Sequence, residues 1–389
     1  MPFYHHLGQL PSKRHTQFRK PDGSLYREEL MGQEGFSGIQ SILYHHWMPT
    51  EIVKAEWLGS CAPKLSDFGA LRARQFRTRN FPAGGDALES RRAIMGNADV
   101  LMSLSRPTRS MDYFYRNGQA YECWFAHEGS GVLRTQFGRL PFGPGDYLVL
   151  PFGTTWQMLL DTPEARFLVL EAPSQFEPPK RYRNQYGQML EHAPYCERDI
   201  RVPVELETYT DEGEFEVRVK ARDEMSRHIM RHHPLDVVGW DGYLYPWAFN
   251  IANFEPITGR VHQPPPVHQT FQVNNFVVCS FVPRLFDYHP EAIPAPYVHS
   301  NVNSDEVLYY VDGDFMSRRG VDRYDFTLHP SGLPHGPQPG ATEASIGKVK
   351  TDELAVMVDT FRPLLIAEEG LEFEVPEYAY SWVEKPAPA

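Results

Sequence analysis

One pattern occurs twice in this chain with the same internal spacing. In the second half, His299-x-Asn301 is followed after four residues by Glu306 and after six more by Gly313; in the first, Tyr115-x-Asn117 is followed after four by Glu122 and after six by Gly129. Further along, Pro330-x-Gly332-x-x-His335 matches Gly145, five residues, and Pro151-x-Gly153-x-x-Trp156. Self-similarity of this kind marks two copies of one structural unit. Around both copies, short apolar runs alternate with polar residues between Gly and Pro turn signals. The stretch GVLRTQFGRLPFGPGDYLVLPFG is an example, and half-buried antiparallel strands read in this way. Helical periodicity is weak throughout.

The repeated spacing is that of the two cupin motifs, H-x-H-x4-E-x6-G and G-x5-P-x-G-x-x-H. The predicted fold is therefore mainly β, a bicupin of two antiparallel β-barrels of the jelly-roll type with connecting segments and few helices. A length of 389 residues, too great for one ordinary core, agrees with two domains. The first is expected over 1–235, with a metal-free barrel over about 70–175 and a connecting region after it; the second, over 236–389, is the expected catalytic barrel. In the connecting region, His228, His232 and His233 are expected to be solvated.

The two copies differ in what they could bind. The second has His299, Glu306 and His335 at the ligand positions, whereas the first has Tyr115, Glu122 and Trp156. Trp offers only an N–H donor and cannot coordinate a metal, so the first copy is expected to be metal-free. Two imidazoles and a carboxylate on one face form the facial triad of non-heme Fe(II) oxygenases, with open positions for substrate and dioxygen. Mononuclear Fe(II) is the first choice of metal, and manganese or zinc could take the same ligands. Asp305 adjoins Glu306 and is the alternative carboxylate, although counting back from Gly313 favours Glu306.

Composition narrows the partners. Fifty acidic against 38 basic residues give a formal charge of −12, which disfavours nucleic acid and anionic membranes as partners. The first twenty residues lack the apolar core of a signal peptide, no run of 18 apolar residues occurs, and a cytoplasmic location is expected. Cys61, Cys123, Cys196 and Cys279 form no C-x-x-C pair and read as isolated buried thiols.

From about 236 to 345 the chain resembles the homogentisate 1,2-dioxygenases, through DVVGWDGYLYPWAFNIANF, GRVHQPPPVHQTF, NNFVVCSFVPR, PYVHSNVNSDEVLYYVDG and FTLHPSGLPHGP. The resemblance implies that His299, Glu306 and His335 hold iron. It implies that His262 hydrogen-bonds a substrate hydroxyl and acts as its base, and that His329 lines the pocket or supports a ligand. The implied reaction is extradiol-type opening of a hydroxylated aromatic acid by O2, homogentisate to maleylacetoacetate in aromatic amino-acid catabolism. It also implies a homo-oligomer, a trimer or hexamer.

The chain departs from that family in places. Its His-to-Glu interval is seven where the better-known members have six, and Asp312 and Phe315 stand where they carry an Arg and a Tyr near the substrate carboxylate. Arg284, Arg318 or Arg319 could supply the missing cation, Arg284 being the substrate-binding candidate; His268 is a further candidate without a role. The alternatives are a cupin dioxygenase for another hydroquinone or catechol-like substrate, such as gentisate, and a metal-binding bicupin that is not an oxygenase, an isomerase or a binding protein.

Overall fold

The computed structural model describes residues 3–67, 69–315, 318 and 320–383, so Arg319 lies outside the described residues. The fold is mainly antiparallel β. Helix among the described residues is limited to short 3-10 turns and one α-helical turn, Ala341–Ser345.

Two sheets form the N-terminal cupin unit. The strand Tyr121–Glu128 lies inside a nine-stranded sheet between Asp146–Leu150 and Arg166–Ala172, facing a seven-stranded sheet that contains Gly131–Thr135 and Thr155–Leu160. Side chains alternate across a strand, so Tyr121, Cys123 and Phe125 enter one core while Trp124 and Ala126 enter another with Leu133, Trp156 and Met158. Both faces are buried, which is why this strand reads almost continuously apolar.

The first of those cores is shared. Against the nine-stranded sheet packs a six-stranded one, in the order Gln269–Val273, Phe276–Phe281, Leu354–Thr360, Asp305–Asp312, Asp325–His329 and Arg74–Arg77. Its central strand obeys the same alternation. Val307, Tyr309 and Val311 face the shared core, and Leu308 and Tyr310 face the opposite way with Val277, Cys279 and Met357. The halves on either side of residue 235 also exchange strands: Arg74–Arg77 joins the C-terminal sheet, and Trp247–Asn250 and Leu365–Ala367 join the N-terminal one. The second wall of the C-terminal unit is thin. It consists of a two-stranded ladder, Arg284–Leu285 with Lys350–Thr351, and an isolated bridge between His299 and His335.

The connecting region folds as a hairpin, Glu212–Ala221 with Glu224–His232, added to the seven-stranded sheet by a parallel ladder to Phe114–Asn117. This corrects the expectation for two histidines. His232 and His233 are buried, because the hairpin presses that corner onto N-terminal strands, where His233 meets the rings of Phe114 and Tyr209; His228 is half-buried. All four thiols are unpaired; Cys123 and Cys279 are buried, Cys61 and Cys196 only partly so.

Candidate functional site

Glu306 is placed by strand alternation. It shares the inward face with Leu308 and Tyr310, whereas Asp305 points the other way and accepts hydrogen bonds from the backbone N–H groups of Ser331 (2.7 Å) and Leu364 (2.8 Å). Asp305 therefore ties two loops together, and Glu306 is the carboxylate that faces the cavity.

The two imidazoles reach Glu306 from the thin wall. His299 and His335 exchange two backbone hydrogen bonds of 2.8 Å, which sets their rings 4.4 Å apart. Nδ1 of His299 lies 3.2 Å from the Tyr297 carbonyl, and Nδ1 of His335 lies 3.3 Å from that of Leu333. A carbonyl can only accept, so each Nδ1 carries a proton and each Nε2 is the nitrogen left to meet an ion, the arrangement seen in metal-ligating histidines. Those two nitrogens lie 3.7 and 3.5 Å from Oε2 of Glu306, and the three ligand atoms all fall within 4.8 Å of one another.

These separations are too long for hydrogen bonds. They are close to the roughly 3 Å expected between neighbouring donors that share an ion about 2.1 Å away. Nε2 of His335 is buried with no hydrogen-bond partner, and such an orphan calls for an occupant. The donor set, one carboxylate and two imidazoles that turn Nε2 towards it, thus fits a divalent cation. Burial pushes the Glu306 carboxyl up, but the imidazoles of His299, His329 and His335 outweigh it and hold the group well below the usual carboxylate range. It is an anion at every working pH.

His329 lies behind this cluster. It is the cross-strand partner of Glu306, donates Nδ1–H to Oε1 at 2.8 Å, and receives the Tyr378 hydroxyl on Nε2 at 3.1 Å. Burial, followed by the charge of Arg318, pushes its pKa down to about 4, so it stays neutral and orients the carboxylate. Its side chain has no exposed surface and does not line the cavity, which removes it from substrate contact. Outer groups that orient a ligand typically contribute ten- to hundredfold in metal affinity. Tyr378→Phe, which leaves Nε2 of His329 without its donor, is expected to weaken Fe(II) binding about tenfold in a chelator competition; unchanged affinity would remove Tyr378 from this role.

A cavity of about 630 Å³ opens over the cluster, within the range of small-molecule sites. Its floor is apolar, with Val277, Phe281, Leu308 and Met357. His262 stands at the rim, its side chain 47% exposed and its Nδ1 3.3 Å from Asp287. Arg284 lines the cavity but is held by Glu353 at 3.4 Å, and Arg318 lines it while donating to the Gly336 carbonyl at 2.5 Å. Asp312 is exposed and Phe315 packs on Tyr310; neither lines the cavity.

One cavity residue escaped the sequence reading. Asp359 is the other cross-strand neighbour of Glu306, and its Oδ1 is buried without a partner. Burial and then the Glu306 charge push its carboxyl up to about 8. Alternation puts it on the face of Met357, but its nearness to Glu306 depends on strand register, which local pattern does not carry.

The first copy of the motif is filled by protein. Glu122 accepts hydrogen bonds from Arg91 Nη1 (2.8 Å) and Asn117 Nδ2 (3.1 Å), and the other Arg91 nitrogen, Nη2, reaches Glu171 (2.6 Å), which also pairs with Lys220 (2.6 Å). Tyr115 and Trp156 close the space edge to face, with ring centroids 5.3 Å apart. A guanidinium thus neutralises Glu122, where the second copy leaves Oε2 of its carboxylate to the two imidazoles.

Fold and site together define a mainly β, cupin-type protein with a two-histidine, one-glutamate centre. A family model described as homogentisate 1,2-dioxygenase N-terminal matches residues 96–251. A protein of Saccharolobus solfataricus described as "Putative dioxygenase" is 42% identical over 98% of this chain and 99% of its own. A homogentisate 1,2-dioxygenase of Bradyrhizobium diazoefficiens is 24% identical over 96% of this chain and 80% of its own. Among solved structures, a cupin 2 conserved barrel domain protein from Leptotrichia buccalis matches with a TM-score of 0.35 and 10% identity, over 75% of this chain and 98% of that one. The chain belongs to the homogentisate 1,2-dioxygenase family and is a dioxygenase-like enzyme. No helix among the described residues is long and apolar enough to cross a membrane.

Proposed function

We propose that the protein is an Fe(II)-dependent dioxygenase that opens the ring of a hydroxylated aromatic acid, with homogentisate as first substrate and maleylacetoacetate as product. The observation that carries this reading is the meeting of His299, Glu306 and His335 beneath a cavity of about 630 Å³, with Nε2 of His335 left without a partner. Iron held there would supply Lewis acidity and a template for substrate and dioxygen. In this reading the metal belongs to the unit over 236–389 and the unit over 1–235 supports it. The protein works in the cytoplasm, where four unpaired thiols are at home. We also propose a homo-oligomer, for which the exposed Val261, Leu285, Tyr288, Val298 and Val302 offer apolar surface.

The remaining roles belong to the chain. The apolar floor excludes water around the reacting ring. Asp287 accepts from Nδ1–H of His262, which leaves Nε2 free to take the proton of a substrate hydroxyl. His262→Ala is expected to cut turnover about a hundredfold or more while iron content stays at the wild-type level; an equal loss of iron would make His262 a ligand instead.

A second reading is a dioxygenase for another hydroquinone or catechol-like substrate, such as gentisate; Asp312 and Phe315, which leave no arginine or tyrosine at those positions to hold a carboxylate, favour those of its substrates that lack one. The deciding experiment is oxygen uptake by anaerobically iron-loaded protein with homogentisate, gentisate and catechol. Uptake with homogentisate alone supports the first reading, uptake with another of the three supports the second, and none with any supports a bicupin that is not an oxygenase.

A further inference from the structure

His268 lines the same cavity as His299 and Glu306, yet neither the metal cluster nor the rim uses it. It closes the turn Pro265–His268 and leads into the strand Gln269–Val273 of the six-stranded sheet. The prolines at the start of that turn fix their own φ, so the position of the imidazole is largely set before any ligand arrives. The ring lies on Phe281 with centroids 4.5 Å apart, and only 7% of the residue is exposed, whereas the His262 side chain at the rim is 47% exposed. His262 has a partner in Asp287, but Nδ1 of His268 is buried with none. An N–H buried without a partner costs free energy, so this occluded nitrogen bears on which tautomer the ring adopts.

The chemistry of that ring is restricted. Burial, then the charges of Arg284 and His262, hold its pKa down to about 3, so the imidazole is neutral whenever the protein is folded and working. A neutral imidazole has one N–H and one lone pair. An orphaned N–H is the costlier of the two to bury, so the proton belongs on Nε2 and the bare lone pair on the occluded Nδ1. One neutral N–H suits an uncharged oxygen better than a carboxylate, which calls for a cation or several donors.

We propose that His268 is a specificity-determining residue that donates a hydrogen bond from Nε2 to a ring hydroxyl of the substrate, one not held at the metal. This deepens the ring-opening reading and rests on it for the substrate class. It assigns hydroxyl recognition to the buried histidine of the GRVHQPPPVHQTF segment, while His262 keeps the proton-accepting role at the rim. Discrimination then depends on an enclosed donor. A substrate lacking the hydroxyl leaves that donor unsatisfied in a dry pocket, and sites built this way reject the deficient analogue.

The test compares two pairs of probes that differ by one hydroxyl, homogentisate against 2-hydroxyphenylacetate and hydroquinone against phenol. Dissociation constants are measured by anaerobic equilibrium dialysis against the full chain loaded with Fe(II), as wild type, His268→Phe and His268→Gln. In wild type, at least one dihydroxylated probe is expected to bind about tenfold or more tightly than its partner. In His268→Phe that ratio is expected to fall to about two or less, through loss of affinity for the dihydroxylated probe, with iron content unchanged; His268→Gln, which keeps an N–H, is expected to recover at least half of the lost affinity on a logarithmic scale. A ratio in His268→Phe equal to that of wild type overturns the assignment, and so does the absence of binding by either dihydroxylated probe to wild type. If His268→Phe fails to hold iron, His268→Gln alone decides, and loss of the ratio there despite the retained N–H also overturns it. Oxygen uptake is read separately: a collapsed ratio without any uptake keeps His268 as the hydroxyl reader and removes the ring-opening reading.

Discussion

His335→Ala is expected to abolish both iron binding and oxygen uptake while leaving the fold intact. The imidazole brings Nε2 to within 3.5 Å of Glu306 Oε2, and that nitrogen has no hydrogen-bond partner, so removing the ring deletes a candidate ligand at the cost of one contact, from Nδ1 to the Leu333 carbonyl at 3.3 Å. The backbone bridge that seats it, two hydrogen bonds of 2.8 Å to His299, survives substitution by Ala. Two remaining donors form a weak site for a divalent ion in competition with water, and His299→Ala is expected to behave in the same way, its Nε2 lying 3.7 Å from the same oxygen. The check is iron per chain after anaerobic loading and desalting, alongside circular dichroism. Wild-type iron occupancy in either variant would remove that residue from the ligand set.

The second large effect lies in the half of the molecule where no metal is expected. Arg91→Met is expected to destabilise the protein by about 3–5 kcal/mol, the usual consequence of removing one partner from a buried ionic cluster. The arginine binds both Glu122 and Glu171, and its loss leaves two buried carboxylates beside one cation, Lys220, whose ammonium pairs with Glu171. Glu171 itself is pushed up by burial and drawn down further by Arg91 and Lys220, ending near 2. Equilibrium denaturation of the iron-free protein reads the effect, and adding Glu122→Gln to Arg91→Met should restore part of it, because one stranded charge is then gone. A loss below about 1 kcal/mol would mean the cluster is solvated in practice, as exposed pairs are. The same guanidinium explains why Trp156→His alone should yield no second metal site: Tyr115 remains, and Glu122 already has its cation.

Much of this was legible in the sequence because the repeated spacing carries both topology and the candidate ligand positions. His299, Glu306 and His335 are separated by up to 36 positions, yet the spacing named them together, and the structure brings their donor atoms within 4.8 Å. The choice between Asp305 and Glu306 followed from counting back from Gly313, and parity along the strand Asp305–Asp312 agrees with it. What stayed hidden depends on which strands pair and in what register. The position of His329 behind Glu306 and the approach of Asp359 are set by ladders to Asp325–His329 and Leu354–Thr360, and the insertion of Arg74–Arg77 beside Asp325–His329 joins residues about 250 apart. Short strands of similar composition do not announce their partners. The burial of His232, His233 and His268 was hidden for the same reason, since each is covered by segments distant in the chain.

The most direct measurement is anomalous diffraction at the iron edge from crystals grown anaerobically with Fe(II). One peak per chain is expected, about 2.1 Å from Nε2 of His299, Nε2 of His335 and Oε2 of Glu306, with none beside Glu122. A peak elsewhere in the chain, or full iron occupancy with those three groups turned away from it, would contradict it.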